Sequence, residues 1–364
     1  MTKKALIVIP YRDSYFIKSY GFAVRDTQII YELQKRNIFS DLIIINRPVS
    51  IYERFLTKKK KSLWPNAITI DTTSIDFFGP LKKRAWTVNC YQDIFQTVLQ
   101  DLLNAREYEE IVILDFTPMS ILPIVESAIT KIVYWYDLID NFTKHNRYDI
   151  VEKKLVQEKY NYVNEHYNAV TGVSSKALEA VGHKNSYLLT NGVFDFGSNS
   201  ASGSPEYDFG FVGFVTDKFD TAFVKKLADW GFSVIVHGKI MDKTIQRELE
   251  AFGIVCSGVF SYIDIQKVIS TFKVGLLPYL YEKSHDESPL KLYEYLKNNK
   301  PCLTSINYEI SNSFVLNYND TDIHIEKISE LLSVSGSAEI AESISPSDYL
   351  QNKIDAVLPY ILKY

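Results

Sequence analysis

The chain has 364 residues, of which 46% are hydrophobic and 23% charged, and its formal net charge is −4. A chain of this length exceeds one ordinary compact core and predicts two domains. The small net charge argues against a nucleic-acid partner attracted by the whole molecule and against a disordered acidic tail.

Three features of the sequence indicate a protein of the cell interior. The cysteines Cys90, Cys256 and Cys302 lie far apart and show no CxxC or Cys/His ligand spacing, which indicates buried reduced thiols. The N-terminal apolar run ends at Tyr11 and is too short for a signal peptide. No stretch approaches the ~20 apolar residues that span a bilayer. We therefore expect a cytoplasmic protein.

The first half of the chain alternates short β-branched apolar runs with longer amphipathic segments. Continuous apolar runs predict strands that are covered on both faces, and their alternation with helices predicts a doubly wound parallel sheet. The predicted strands are residues 5–10, 41–46, 67–71, 111–115, 131–136 and 169–173. The predicted helices are residues 23–36, 91–106, 118–129 and 149–166.

A Gly/Ser/Asn-rich stretch, residues 190–208, follows a short predicted strand at 187–189 and indicates an interdomain connection. The same alternation then restarts and predicts a second α/β domain. Its predicted strands are residues 209–212, 233–237, 254–256, 274–278 and 302–305. Its predicted helices are residues 220–230, 242–252, 262–272 and 289–298, and an amphipathic segment at 348–362 has no strand after it. The predicted division is 1–190, 191–345 and 346–364.

Residues 275–305 carry the most informative pattern. A predicted strand ends at Pro278, a polar loop follows, and Ser288 with Pro289 is typical of an N-cap and first helical turn. Ligands of open α/β sheets bind beyond the carboxyl ends of strands, and a helix N-terminus attracts anions. Lys291 adds a positive charge in that turn, and Glu294 lies on the same helical face. A diphosphate fits this arrangement, although such a pair of charges is also common on ordinary exposed helices.

The run DESPLKLYEYLKNNKPCL, residues 286–303, resembles the donor-binding signature of the GT-B glycosyltransferases. It is similar to that of bacterial family-four enzymes and related polysaccharide and teichuronic-acid-type transferases. The signature has an acidic residue, seven others and a glutamate, and Asp286 and Glu294 occupy its acidic positions. The resemblance implies that Glu294 binds ribose hydroxyls and that Asp286 lies near the transferred sugar. Because Asp286 is shorter than the usual glutamate, Glu287 is the alternative for that role.

Other segments resemble the family in chain order. Residues 191–193, Asn-Gly-Val, are similar to the turn before its second domain, and residues 211–213 resemble the first strand and glycine turn of that domain. Because glycine has no side chain, the backbone at Gly213 could approach phosphates closely. The remaining residues predicted to bind the donor are Lys218 as the nearest basic group, the amides at Ser288, Pro289 and Leu290, the His237-Gly238 turn and Gly21. A lone histidine at a strand end, such as His237, is however more often structural.

The segment Tyr136–Phe142 follows a predicted strand and looks like the place where related transferases carry an acidic pair. Asp140 or Asp137 would then act as a base toward an acceptor hydroxyl or hold sugar hydroxyls. Asp and Asn are also common in turns and helix caps, so a structural role is the equal alternative.

A basic and aromatic segment at residues 54–65 suits an anionic bilayer surface, where each basic residue contributes ~1 kcal/mol. A solvated loop fits the same composition. The residues predicted to form this membrane or acceptor surface are Lys58, Lys59, Lys60, Lys61 and Trp64, with a second cluster at Lys82, Lys83, Arg84 and Trp86.

The resemblance implies a GT-B α/β fold: two Rossmann-like domains, an interdomain cleft and a C-terminal helix that crosses back to the first domain. It implies a metal-independent, hexosyltransferase-like enzyme that moves a sugar, UDP-linked in our interpretation, to a carbohydrate or lipid-linked glycan in cell-surface polysaccharide synthesis. The histidines lack metal-ligand spacing, and we expect no cofactor. Such a protein would be cytoplasmic or peripheral on the inner face of the membrane. The alternatives are an inactive accessory or chaperone subunit with the same fold and a nucleotide-sugar epimerase.

Overall fold

The computed structural model describes residues 3–51, 53, 64–75, 85–197, 204–286, 288–319 and 325–364. Internal contacts divide the chain into two compact units. The first unit comprises Met1–Thr190, His285–Glu287 and Lys353–Tyr364, and the second comprises Asn191–Ser284 and Ser288–Asn352. Within the described ranges, no helix has both the length and the apolarity required to cross a bilayer.

The first unit is built on a parallel sheet of seven strands in the order β4-β2-β1-β6-β7-β8-β9. Its central strands are continuous Ile/Val/Leu runs and are buried, as expected for strands with helices on both faces. The strands are β1 Lys4–Ile9, β2 Asp41–Ile45, β4 Ile68–Ile70, β6 Glu110–Asp115, β7 Lys131–Leu138, β8 Ala169–Gly172 and β9 Ser186–Leu188, while β3 Val49–Ser50 pairs with β5 Thr73–Ser74.

Side-chain caps set the starts of several helices in this unit. Asp13 accepts a hydrogen bond from the amide of Phe16, and Asp149 forms a capping box with Glu152. The helices are α1 Ser14–Tyr20, α2 Arg25–Lys35, α3 Gln92–Ala105, α4 Ile150–His166 and α5 Ser175–Val181. The predictions of α2, α3 and α4 are confirmed within two residues at each end, whereas α1 and α5 were not predicted.

The prediction of a helix at residues 118–129 is wrong, since this segment is irregular. Pro123 lies in its middle, and a proline there removes an amide donor and clashes with the preceding turn. Side chains from neighbouring elements satisfy the backbone instead. The hydroxyl of Tyr134 donates to the carbonyl of Pro123 and accepts from the amide of Val125, and the hydroxyl of Tyr162 donates to the carbonyl of Leu122.

The second unit contains a parallel sheet of six strands in the order β12-β11-β10-β13-β14-β15. This order is that of a Rossmann-like doubly wound sheet, in which strands are added first on one side of β10 and then, from β13 onward, on its other side. The strands are β10 Tyr207–Val212, β11 Val234–His237, β12 Val255–Gly258, β13 Phe272–Leu277, β14 Cys302–Thr304 and β15 Val315–Asn317. The helices are α6 Thr221–Asp229, α7 Lys243–Ala251, α8 Ile265–Ser270, α9 Leu290–Lys297, α10 Ile325–Val334 and α11 Ala338–Glu342.

The last helix, α12 Leu350–Leu362, groups with the first unit from Lys353 onward. Lys353 donates to the hydroxyl of Thr190, Asp355 pairs with Arg36 at 2.7 Å, and the carbonyl of Leu362 accepts from Lys131. Polar contacts spread along the helix therefore hold it on the first unit.

Candidate functional site

The candidate site lies at the carboxyl ends of β10 and β13, where the winding of the second sheet reverses. These two strands are adjacent, with Gly210 opposite Gly275. The chain leaves β10 at Gly213 and leaves β13 at Pro278, directly before Tyr279. In open α/β sheets this reversal point is where ligands bind, because the flanking loops diverge there.

Helix α9 is fixed over this point by Tyr295, which is fully buried. The ring lies against Gly275, where an added Cβ would overlap it. The tyrosine hydroxyl accepts from the amide of Val212 at 3.1 Å and donates to the carbonyl of Leu276 at 3.2 Å. The helix is thereby tied to the last residues of both central strands.

The start of α9 differs from the predicted one in its cap. Pro289 is the N-cap, no side chain caps the helix, and its first turn contains no acidic residue. Proline has no amide hydrogen. The groups available to an anion are therefore the amides of Leu290, Lys291 and Leu292, whose donors lack partners within a helix. The prediction that Ser288 caps the helix is corrected, because Pro289 is the N-cap and no side chain caps the helix. The carbonyl of Ser288 accepts a hydrogen bond from the Asn191 side chain.

Two lysines and two aromatic rings converge beside this helix start. The ammonium of Lys291 donates to the hydroxyl of Tyr279 at 2.8 Å and lies 5.3 Å from the ring centre of Phe211. The ammonium of Lys218 lies 5.6 Å from the ring centre of Tyr279. Gly213 has a φ of 127°, and a Cβ built there would overlap the Cε of Lys291. The predicted donor residues Gly213, Lys218 and Lys291 thus lie together.

Gly213→Ala should displace the side chain of Lys291, because a Cβ at this position would overlap its Cε. The strained backbone alone costs about 1–3 kcal/mol of unfolding free energy, and the overlap should add to that loss in urea unfolding. Gly231→Ala is the matched control, since Gly231 also has positive φ, 88°, but has open space around its would-be Cβ. Equal losses in both variants would show that Lys291 does not resist the added methyl group.

Glu294 is buried, with 6% of its surface exposed. Its Oε1 accepts a hydrogen bond from the hydroxyl of Tyr262 at 2.5 Å, whereas its Oε2 is buried and has no hydrogen-bond partner among the described residues. Burial raises the pKa of Glu294, while the charge of Lys297 and the bond from Tyr262 oppose that shift. A carboxylate oxygen left unpaired in this way costs about 1–3 kcal/mol, which a ligand donor would recover.

The His237-Gly238 turn is stabilised by contacts within the second unit. A Cβ on Gly238 would overlap the carbonyl of Gly213, so the close approach of these two loops requires glycine. The two ring nitrogens of His237 contact the hydroxyls of Thr271 and Ser257. Burial lowers the pKa of His237 to about 4, so its ring is neutral. The prediction that its side chain serves the donor is corrected in favour of a structural role.

Asp137 in the first unit is fully buried. Its carboxylate accepts two hydrogen bonds from Arg25, at 2.9 and 2.8 Å, and a third from Thr171. Because the carboxylate is fully buried and makes these three hydrogen bonds inside the fold, the prediction of a catalytic role for Asp137 is corrected. Asp140 lies two residues beyond β7 and is partly exposed, and its acceptor role stays a prediction.

Asp286 groups with the first unit. It adopts a φ of 59°, and its carboxylate accepts hydrogen bonds from Asn141 and Lys144, each at 2.9 Å. Its backbone carbonyl accepts from the hydroxyl of Ser174. The carboxylate is thus part of an ion pair, and its role near a transferred sugar stays a prediction. Glu287, its alternative, lies outside the described residues.

The remaining predicted residues have local explanations or lie outside the described ranges. Gly21 ends α1 with a φ of 68°, which by itself accounts for glycine there. Trp64 is 2% exposed and packs edge-on against Phe22, so it is a core residue and its assignment to a membrane surface is corrected. Lys58, Lys59, Lys60, Lys61, Lys82, Lys83 and Arg84 are not among the described residues.

Tyr262 and Tyr279 contact the predicted site residues but were not predicted. Tyr262 was predicted as the first residue of a helix at 262–272, whereas it begins a 3-10 turn, Tyr262–Asp264, before α8. Tyr279 directly follows the predicted strand at 274–278, so its position at a carboxyl end was the available signal. In the part of the chain that is described, no three His, Cys, Asp or Glu side chains are grouped to hold a metal ion.

No protein-family model matches the sequence, and no curated protein matches it. Solved structures of glycosyltransferases match nearly the whole chain. TarM matches with a TM-score of 0.60 and 10% identity over 99% of both chains. Sucrose-phosphate synthase from Thermosynechococcus elongatus matches with a TM-score of 0.60 and 11% identity over 100% of this chain and 97% of its own. The galactosyltransferase WaaB, of the lipopolysaccharide outer core, matches with a TM-score of 0.54 and 12% identity over 99% of both chains.

These similarities confirm the predicted GT-B fold, with its two Rossmann-like parallel sheets. At 10–12% identity they concern the fold alone.

Proposed function

We propose that this protein is a glycosyltransferase that takes a sugar from a nucleotide-diphosphate donor bound by the second unit. The observation that carries the proposal is the unpaired, buried oxygen of Glu294 on the same helix as Lys291. A ribose hydroxyl is a neutral donor that would satisfy this oxygen, and a diphosphate is the anion that the helix start would attract. Both groups belong to one nucleotide sugar.

The chemical step would draw on the positive groups at the carboxyl ends of β10 and β13. Transfer breaks the bond between the sugar C1 and a diphosphate oxygen and forms one between C1 and an acceptor hydroxyl oxygen, which loses its proton. Negative charge develops on the leaving diphosphate oxygen. Lys291, Lys218 and the first amides of α9 would stabilise it, since preorganised donors act strongly where water is excluded. Stabilisation by these groups is the basis for our proposal that the reaction needs no metal ion.

Our proposal for the donor and the acceptor is based on the structural neighbours. One TarM structure is described as a complex with UDP and α-GlcNAc-glycerol, and WaaB is described as a galactosyltransferase of the lipopolysaccharide outer core. We accordingly propose a UDP-linked hexose as donor and a carbohydrate or lipid-linked glycan of the cell surface as acceptor. Asp140 is our candidate for contact with the acceptor. A cytoplasmic enzyme with peripheral membrane contact through Lys58–Lys61 fits such an acceptor.

Glu294→Gln should weaken UDP binding by about 10- to 100-fold, because a charge-assisted hydrogen bond contributes about 1.5–3 kcal/mol. The same change should leave the ligand-free protein at least as stable at neutral pH. Since burial raises the folded-state pKa of Glu294, the ionised carboxylate opposes folding above its ordinary pKa, and that cost is relieved as the pH falls. Calorimetry with UDP, GDP and ADP and thermal unfolding measure the two effects.

Glu282→Gln is the matched control, since Glu282 is exposed in the turn Tyr281–Lys283 of the same unit. Unchanged UDP affinity in Glu294→Gln would exclude this carboxylate from the site. Incubation with UDP-glucose and UDP-galactose separates the alternatives: transfer to water or a glycan supports the proposal, an isomerised donor indicates an epimerase, and binding without turnover indicates an accessory subunit.

A further inference from the structure

The hydroxyl of Tyr262 donates a hydrogen bond to one of the two carboxylate oxygens of Glu294. Tyr262 is 5% exposed, and its ring lies 6.1 Å, between centroids, from each of Phe194 and Phe196. The ring is therefore held by aromatic packing while the hydroxyl donates to Oε1. Oε2 is left without a partner among the described residues.

The charged groups facing this pair do not occupy the second oxygen. Lys297 lies three residues after Glu294 on α9, and its ammonium donates to the carbonyl of Phe194 at 2.8 Å and lies 3.8 Å from a carboxylate oxygen of Asp195. Burial raises the pKa of Glu294, and the charge of Lys297 opposes that shift. Burial and the charge of Glu294 raise the pKa of Tyr262, and the charge of Asp195 adds to that shift. The carboxylate thus has a cationic group nearby, while Oε2 is buried without a hydrogen-bond partner among the described residues.

We propose that Tyr262 is a positioning residue that holds Glu294 through the hydrogen bond to Oε1, so that Oε2 alone receives one ribose hydroxyl. The site then selects ribonucleoside diphosphates through that single hydroxyl. This inference rests on the proposed function, since it assumes that Glu294 faces a nucleotide. It goes beyond the resemblance, which assigns the ribose to Glu294 without distinguishing its two oxygens or the two hydroxyls.

A comparison of UDP with 2′-deoxy-UDP and 3′-deoxy-UDP tests the single contact on the unmodified protein. Titration calorimetry should find one deoxy analogue about tenfold weaker than UDP and the other within about threefold, because only one hydroxyl meets the charged oxygen. Equal weakening by both deletions, or by neither, would overturn the inference even if UDP binds well.

Tyr262→Phe removes only the hydroxyl and tests the positioning role. We expect its UDP affinity to fall at least threefold and its preference between the two deoxy analogues to shrink, since Glu294 is no longer held. The bond from Tyr262 lowers the pKa of Glu294, so its loss raises that pKa further. The pH below which UDP affinity falls, called here the acid limb and measured between pH 5 and 8, should therefore be higher in this variant.

Tyr318→Phe is the matched control, because Tyr318 also donates from a buried ring to a carboxylate, that of Asp220, in the same unit. It should leave the analogue preference and the acid limb where the unmodified protein has them. Unchanged preference and acid limb in Tyr262→Phe would overturn the positioning role alone. Failure of the unmodified protein to bind UDP, GDP or ADP would overturn the proposed function and this inference together.

Discussion

Lys291→Ala should lower kcat/KM for sugar transfer by about 10²- to 10³-fold, the typical effect of removing one preorganised donor to a developing anion. Lys291 is held by the hydroxyl of Tyr279, lies against Gly213 and belongs to the first turn of α9, so its charge is fixed where the diphosphate would lie. Release of UDP from UDP-glucose or UDP-galactose, at saturating and limiting donor, measures the change and separates kcat from KM.

Lys243→Ala provides the comparison for this variant. Lys243 is an exposed lysine at the start of α7, so its removal deletes the same charge from the first turn of another helix in the same unit. It should keep activity within about threefold of the unmodified protein, as expected for an exposed charge. Activity of Lys291→Ala in that same range would mean that the leaving group is stabilised elsewhere.

Asp137→Ala should lower the free energy of unfolding by about 3–5 kcal/mol, because it leaves the guanidinium of Arg25 buried without its partner. The side chains of both residues are at most 4% exposed, and Thr171 also loses its acceptor. Urea unfolding followed by tryptophan fluorescence measures the loss. A catalytic role for Asp137, in contrast, would predict lost activity in a protein of nearly unchanged stability.

The double variant Arg25→Met with Asp137→Leu separates pairing from packing. Replacing both members of a buried ion pair with apolar side chains is often neutral. Most of the lost stability should therefore return, and the double variant should bind UDP as the unmodified protein does. Failure of the double variant to recover would show that the pair is needed for more than mutual neutralisation.

The errors of the sequence analysis share a physical origin. The segment at 118–129 has helical periodicity, yet Pro123 and the hydroxyls of Tyr134 and Tyr162 favour an irregular backbone. His237 ends a predicted strand and Trp64 stands just after a run of lysines, but both side chains are buried. In each case residues distant in sequence supply the contacts, and the local hydrophobic periodicity carries no information about such contacts.

The sequence by itself determined the alternation of strands and helices, the two parallel sheets and the placement of Lys291 and Glu294 on one helix. Those features depend on local patterns, because a buried parallel strand requires a continuous apolar run and a helix requires a 3.6-residue period. Only the tertiary structure decided which carboxylates are paired. Arg25 meets Asp137 across 112 positions and Tyr262 meets Glu294 across 32, and burial and hydrogen bonding at such separations arise from chain packing.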